Sequence, residues 1–163
     1  MSDNTVQEQK NMSFLLSAPV VATFGTREIM GIIPHRYPFL LVDRVDIIEP
    51  RRYGLGTKCV TASEPYFQGH FPNYPVMPGV LALEAMAQTV ATLSLSLDEF
   101  KGRTAFFMSI DNAKFRQQVL PGSTLKMAVE ILRLGRAGKA HGETYVDGKL
   151  ACEADMAFMM ADK

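Results

Sequence analysis

The sequence predicts an α+β domain in which a curved antiparallel sheet wraps one long, buried helix. Three observations predict it. From Val80 to Leu97 the chain is apolar for about five turns at 3.6 residues per turn, with Glu84 the only charge before Asp98. A helix apolar on all sides must be buried on all sides. From Arg103 onward the period changes to two: Leu125, Met127, Val129 and Ile131 alternate with Lys126, Ala128 and Glu130, and Leu150 to Met160 repeats the pattern. Such alternation marks half-buried antiparallel strands. Between them lie Pro121-Gly122, Gly135 to Gly138 and Asp147-Gly148, the last suited to a two-residue hairpin turn.

The elements follow in order. Residues 1–22 read as a flexible N-terminal tail, docked at most through Phe14, Leu15 and Leu16, and 23–163 as a single domain. A short helix after Thr26 carries Ile29, Met30, Ile32 and Ile33, and Pro34 stops it. Phe39 to Ile48 and Tyr53 to Thr61 read as strands. Glu64 to Gly79 is a loop with four prolines, stiff without being regular. The long helix and four more strands complete a sheet of six.

Composition narrows the function. A hydrophobic fraction of 47% supports a real core, which argues against disorder. Seventeen basic and seventeen acidic residues cancel, which argues against a dedicated nucleic-acid binder. Cys59 and Cys152 lack CxxC spacing and read as reduced thiols of a cytoplasmic protein. His35, His70 and His141 lack metal-ligand spacing, so no metal is expected. Residues 12–24 are apolar but follow Asp3 and Glu8, a poor match to a signal peptide. Glu84 and Gln88 within Val80–Leu97 argue for a buried helix over a membrane span.

Two residues carry chemistry. A carboxyl group in the second turn of an apolar helix should have its ionised form disfavoured by desolvation, which makes Glu84 fit to hold and donate a proton. Gln88, at i+4, can hydrogen-bond it. A structural glutamate paired with an arginine across an interface would read the same from the helix alone. His70 sits in the stiff loop between Gly69 and Phe71, and a neutral imidazole is an available base near pH 7. A lone loop histidine can equally be an ordinary, partly exposed residue. His35, in a Pro-His-Arg-Tyr-Pro turn, and His141, on a polar strand face, read as structural. Pro78-Gly79 opens the helix, where unpaired N–H groups can bind a carbonyl oxygen or developing negative charge. A base, a dry acid and an electrophilic helix start suit proton abstraction beside a carbonyl and loss of a β-hydroxyl.

The segments IPHRYPFLLVDR (33–44), GHFPNYPVMPGV (69–80), EAMAQ (84–88) and FMSIDNAKFR (107–116) resemble the FabZ-type (3R)-hydroxyacyl-acyl carrier protein dehydratases. The resemblance spans Thr26 to Ala161 and is specific, with fourteen positions (84 − 70) between histidine and glutamate and prolines between them. It implies the hot-dog fold, a homodimer with two shared sites, and a trimer of dimers, a homohexamer. It implies that His70 and Glu84 are catalytic and come from opposite subunits, that the Gly79 N–H polarises the thioester carbonyl, and that no cofactor is required. The implied reaction converts (3R)-hydroxyacyl thioesters on acyl carrier protein to trans-2-enoyl thioesters and water, for fatty-acid elongation and, in a Gram-negative source, lipid A supply. Phe106 or Phe107 is a candidate gate of the acyl tunnel. Lys114, Arg116, Arg133, Arg136 and Lys139 are candidates for docking the acidic carrier protein. The alternatives are a double-bond-isomerising dehydratase, which would carry Asp at position 84, a hot-dog thioesterase, and a non-catalytic acyl-thioester-binding protein on the same fold.

Overall fold

The apolar run folds as expected, and the rest of the chain is arranged around it. The computed structural model of the protein describes residues 11–162. Helix α1 spans Thr26–Ile32 and helix α2 Gly79–Leu95, flanked by strands β1 (Ala22–Phe24), β2 (Arg44–Glu49), β3 (Tyr53–Cys59), β4 (Thr104–Phe115), β5 (Thr124–Arg133), β6 (Ala137–Val146) and β7 (Lys149–Ala161). The strands make one sheet in the order β1-β2-β3-β5-β6-β7-β4, antiparallel at every step. α2 lies across its concave face. Ala85, Met86, Leu93 and Leu95 of α2 pack with Leu125, Met127 and Val129 of β5 in the main core. Each of these methionine, leucine and valine side chains contributes roughly 1.5–3 kcal/mol by leaving water. The helix comes so near β3 that a methyl group on Gly56 would lie 2.2 Å from Thr89 Oγ1.

The sheet has seven strands, one more than the sequence predicts. The addition is β1, whose three residues pair with Val45 to Ile47 while Thr23 Oγ1–H donates to Asp46 Oδ1 at 2.7 Å. So short a strand is defined by its partner, not by its own pattern. The strand expected from Phe39 begins only at Arg44. Before it, the backbone is used differently: the Phe39 and Leu40 N–H groups donate to Arg36 O, and the Leu41 N–H donates to Gln88 Oε1. Of the expected tail, residues 1–10 lie outside the described residues. Ser13–Ser17 form a 3-10 turn on the convex face of the sheet, where Leu15 is fully buried with Met12, Leu55 and Tyr145, and Phe14 meets Tyr53 edge-on.

α2 is not covered on all sides within one chain. Val80 is 67% exposed, and Leu81, Glu84 and Ala87 are half-buried. β4, at the sheet edge, carries Phe106, Phe107, Met108, Ile110 and Phe115, all exposed. Among the described residues no helix is long and apolar enough to cross a membrane.

Candidate active site

Glu84 lies on the half-open face of α2, in a cleft lined by His35, Ala87, Gln88, Val90, Ala91, Ala105, Phe106, Phe107, Met156 and Phe158. The floor is apolar and the polar groups gather at one end. Gln88, one helical turn from Glu84, is only 1% exposed and fully engaged. Its Oε1 accepts the Leu41 N–H at 2.8 Å, and its Nε2 donates to Phe39 O at 2.8 Å and to Glu84 Oε1 at 3.0 Å. The expected Glu84–Gln88 pairing is therefore present, and it is anchored by the same stretch that failed to become a strand. Phe106 and Phe107 line the cleft from β4.

His70 stands apart from this cleft. The loop that carries it is knitted by its own backbone: the His70 N–H donates to Tyr66 O, the Val76 N–H to His70 O, and Phe71 and Tyr74 exchange a pair of bonds. Its ring stacks on Phe71, with centroids 4.1 Å apart. Nδ1 lies 2.7 Å from Val76 O. A carbonyl oxygen can only accept, so Nδ1 carries the hydrogen and the neutral ring keeps its lone pair on Nε2. The loop thereby selects the tautomer with a free basic nitrogen.

Gly79 is the first residue of α2, after Pro78 at the N-cap, and the helix start has no side-chain cap. Like any first helical N–H, that of Gly79 has no intrahelical acceptor. A methyl group at position 79 would lie 2.7 Å from the Phe115 ring, so a side chain there would have to displace that aromatic. The cations divide in two. Lys114 and Arg116 both reach Glu153, at 3.8 and 3.0 Å. Arg133, Arg136 and Lys139 are exposed around the β5–β6 turn, with no carboxylate within 4.0 Å among the described residues.

Two residues of interest escaped sequence reasoning. His35, set aside as structural, lines the cleft, with Nε2 3.4 Å from Glu84 Oε1. Phe115 covers the start of α2. Only the PHRYP turn signalled the first, and nothing in the local pattern signalled the second. A separate polar cluster forms on the convex face. There His141 Nδ1 donates to Asp155 Oδ1 at 2.6 Å and Nε2 to Glu143 Oε1 at 3.3 Å. Glu143 Oε2 accepts the Met12 N–H at 2.7 Å and the Tyr145 hydroxyl, and Asn112 Nδ2 donates to Asp155 Oδ2 at 2.9 Å. The hydrogen bond to Glu143 raises the His141 pKa to about 9, with Asp155 adding to it and burial opposing. Burial pushes Glu143 and Asp155 up, but hydrogen bonds outweigh it and hold both below the usual carboxylate range.

A central helix gripped by one antiparallel sheet, with an acidic residue facing a cleft in its second turn, defines a hot-dog protein. The fold recurs in the dehydratase heterocomplex ApeI:P of Xenorhabdus doucetiae (TM-score 0.71, 18% identity, 83% of this chain and 91% of that one). It recurs also in a hypothetical thioesterase of Streptococcus pneumoniae solved with coenzyme A (TM-score 0.54, 9% identity, 82% and 91%). At such identities the likeness is one of fold alone. Residues 33–155 match the family model of the FabA-like domain. The 3-hydroxyacyl-[acyl-carrier-protein] dehydratase FabZ of Clostridium kluyveri is 54% identical over 141 residues, 86% of this chain and 98% of the relative. The FabZ of Pelotomaculum thermopropionicum is 58% identical over 132 residues, 80% and 94%. The chain belongs to the FabZ family of 3-hydroxyacyl-[acyl-carrier-protein] dehydratases.

Proposed function

We propose that the protein dehydrates (3R)-hydroxyacyl-[acyl carrier protein] to the trans-2-enoyl thioester in fatty-acid biosynthesis, with His70 as base and Glu84 as acid. The observation that carries the roles is the hydrogen bond from His70 Nδ1–H to Val76 O, which leaves Nε2 as the nitrogen able to take a proton. His70 Nε2 removes the C2 proton. The electrons form the C2–C3 double bond, the C3–O bond breaks, and the Glu84 proton joins the departing hydroxyl as water. The thioester acidifies C2, so the reaction needs no cofactor. The Gly79 N–H at the start of α2 polarises the thioester carbonyl as negative charge builds on it. The acyl chain lies along the apolar floor, with Phe106 and Phe107 as its gate.

A second copy of this chain completes the site. His70 does not line the cleft that holds Glu84, and α2 leaves a face open beside an exposed, aromatic-rich edge strand. An edge of that kind invites pairing with another chain. The reading is a cytoplasmic homodimer with two shared sites, three of which assemble as a hexamer. The carrier protein docks at Arg133, Arg136 and Lys139. Strand register supports this: Phe106 pairs with Met159 and Met159 with Ala137, so the β5–β6 turn lies at the gate's end of the sheet. Lys114 and Arg116, engaged with Glu153, lie several rungs away.

The deciding experiment incubates the protein with a hydroxyacyl carrier protein and follows the absorbance of the conjugated enoyl thioester. Enoyl product that vanishes in His70→Ala and Glu84→Gln supports the reading. Absence of product from the unsubstituted protein favours a non-catalytic acyl-thioester binder.

A further inference from the structure

We propose that His35 is a positioning residue for Glu84: its Nε2 lies within reach of Oε1, the same carboxyl oxygen that accepts the Gln88 amide, and the two together place the acid's proton on Oε2. The inference rests on the dehydratase reading and asks which oxygen of the acid does the work.

The surroundings of Gln88 dictate the orientation of its amide. Its Oε1 is occupied by a backbone donor, the Leu41 N–H. Its two N–H bonds go to Phe39 O and Glu84 Oε1. Reversing the amide would set an N–H against the Leu41 N–H and a carbonyl against Phe39 O, losing two buried bonds. Gln88 therefore offers Glu84 only a donor. Glu84 Oε1 must accept, and a protonated Glu84 carries its hydrogen on Oε2, which has no protein partner among the described residues.

His35 approaches that same Oε1, with Nε2 at 3.4 Å. Its other nitrogen selects the tautomer. Nδ1 is buried without a partner among the described residues, and the tautomer with hydrogen on Nε2 buries no orphan N–H there. The ring is held for the purpose. It stacks on Phe39 with centroids 6.5 Å apart and planes at 19°. The Arg36 guanidinium donates to the carbonyls of Met30, Ile33 and His35 itself, at 2.8, 3.0 and 2.7 Å, which ties the turn to the end of α1. Phe39 thus supports His35 through its ring and Gln88 through its carbonyl.

The consequence is kinetic. When the Oε2 proton leaves, charge develops on a carboxylate whose Oε1 already accepts the Gln88 amide at 3.0 Å and has His35 Nε2 only 3.4 Å away, near enough for a hydrogen bond to tighten as the charge appears. Donors aimed at charge that appears in the transition state raise kcat and leave substrate binding little changed.

The test compares substitutions at position 35 that separate donor from ring. His35→Phe keeps the stack on Phe39 and removes the donor, His35→Leu removes both, and His35→Gln restores an N–H without the ring. His35→Phe and His35→Leu should each lower kcat at least about tenfold, as loss of a hydrogen bond to a charged group would, with KM little changed, and His35→Gln should regain most of the loss. A packing role predicts the reverse order, with Phe active and Gln impaired. Near-normal kcat in a folded Phe or Leu variant, or Gln no better than Phe, overturns the proposal. Glu84→Gln assayed alongside keeps the two readings apart. If it is inactive while His35→Phe is normal, only the role of His35 fails. If it remains active, the acid assignment fails with it.

Discussion

Two histidines in this molecule occupy opposite environments. His141 has both ring nitrogens committed to carboxylates, Asp155 and Glu143, and is held as a cation by them. His70 has one nitrogen tied to a backbone carbonyl, and the other has no protein partner among the described residues. A fully satisfied imidazole has no capacity left for a substrate and serves the fold, here by joining β6, β7 and the segment at Met12. An imidazole fixed through one nitrogen is oriented and still able to react. Glu84 and Glu143 repeat the contrast. Both oxygens of Glu143 accept hydrogen bonds, whereas Glu84 engages protein through Oε1 and leaves Oε2 open to the cleft. In the proposed mechanism the unused atom is the one that reacts.

The largest expected effect would break the comparison outright. His70→Ala and Glu84→Gln should each lower turnover by at least about 10²-fold in a folded protein, while His141→Ala should leave kcat near normal. Comparable losses at His70 and His141, measured with a hydroxyacyl carrier protein, would show that the free nitrogen is not what matters. A mixture sharpens the point. If the pair comes from two copies, refolding His70→Ala with Glu84→Gln in equal amounts should restore about a quarter of normal activity. Half of the dimers would then be mixed, each with one intact site of two. No recovery would place both groups within one chain.

The same contrast explains what could be read in advance. The α2 run and the alternation in β5 and β7 are local patterns, and they place the core and Glu84 directly. β1 has only three residues and exists through its pairing with Val45 to Ile47, which no local period encodes. Phe39 to Leu41 looks like the start of a strand because it is apolar, but its backbone groups are claimed by Gln88 and Arg36 O. His35 and Glu84 meet only through the packing of the PHRYP turn on α2, so composition around His35 could not reveal its neighbour. Family resemblance supplied the pairing of His70 with Glu84 that neither residue's surroundings imply alone.

A smaller effect concerns stability. Removing the His141 ring leaves Glu143 and Asp155 without their cation, a loss on the order of 2 kcal/mol for this partly exposed cluster. For a chain of this size that is roughly 4–8 °C in Tm. The pH dependence has a definite sign. His141 titrates higher in the folded protein than the usual 6.5, so its contribution is complete below about 6.5 and is lost as pH rises toward about 9. Glu143 and Asp155 are lowered, so theirs is present above the ordinary carboxylate range and lost in acid. Thermal melts should show Tm falling from pH 7 to 10, with the slope flattened in His141→Ala. An unchanged slope would remove His141 from the account of alkaline stability.

The smallest effect separates paired from unpaired cations in the way the histidines were separated. Lys114 and Arg116 share Glu153, so their charge is partly spent within the fold. Arg133, Arg136 and Lys139 have no such partner among the described residues and stand at the end of the sheet that carries Phe106. With seventeen charges of each sign, the chain as a whole offers no attraction to an acidic carrier, so docking must come from a local group. Arg133→Glu with Arg136→Glu should raise KM for carrier-protein substrates several-fold, and Lys114→Glu should do less. Added salt should mimic the double substitution, because charges screen over about 8–10 Å near 0.1–0.15 M. A short coenzyme A substrate, which lacks the acidic protein surface, should respond little to either. Equal losses on both substrates would place these arginines in the fold or beside the acyl tunnel, and docking would have to be sought on another face.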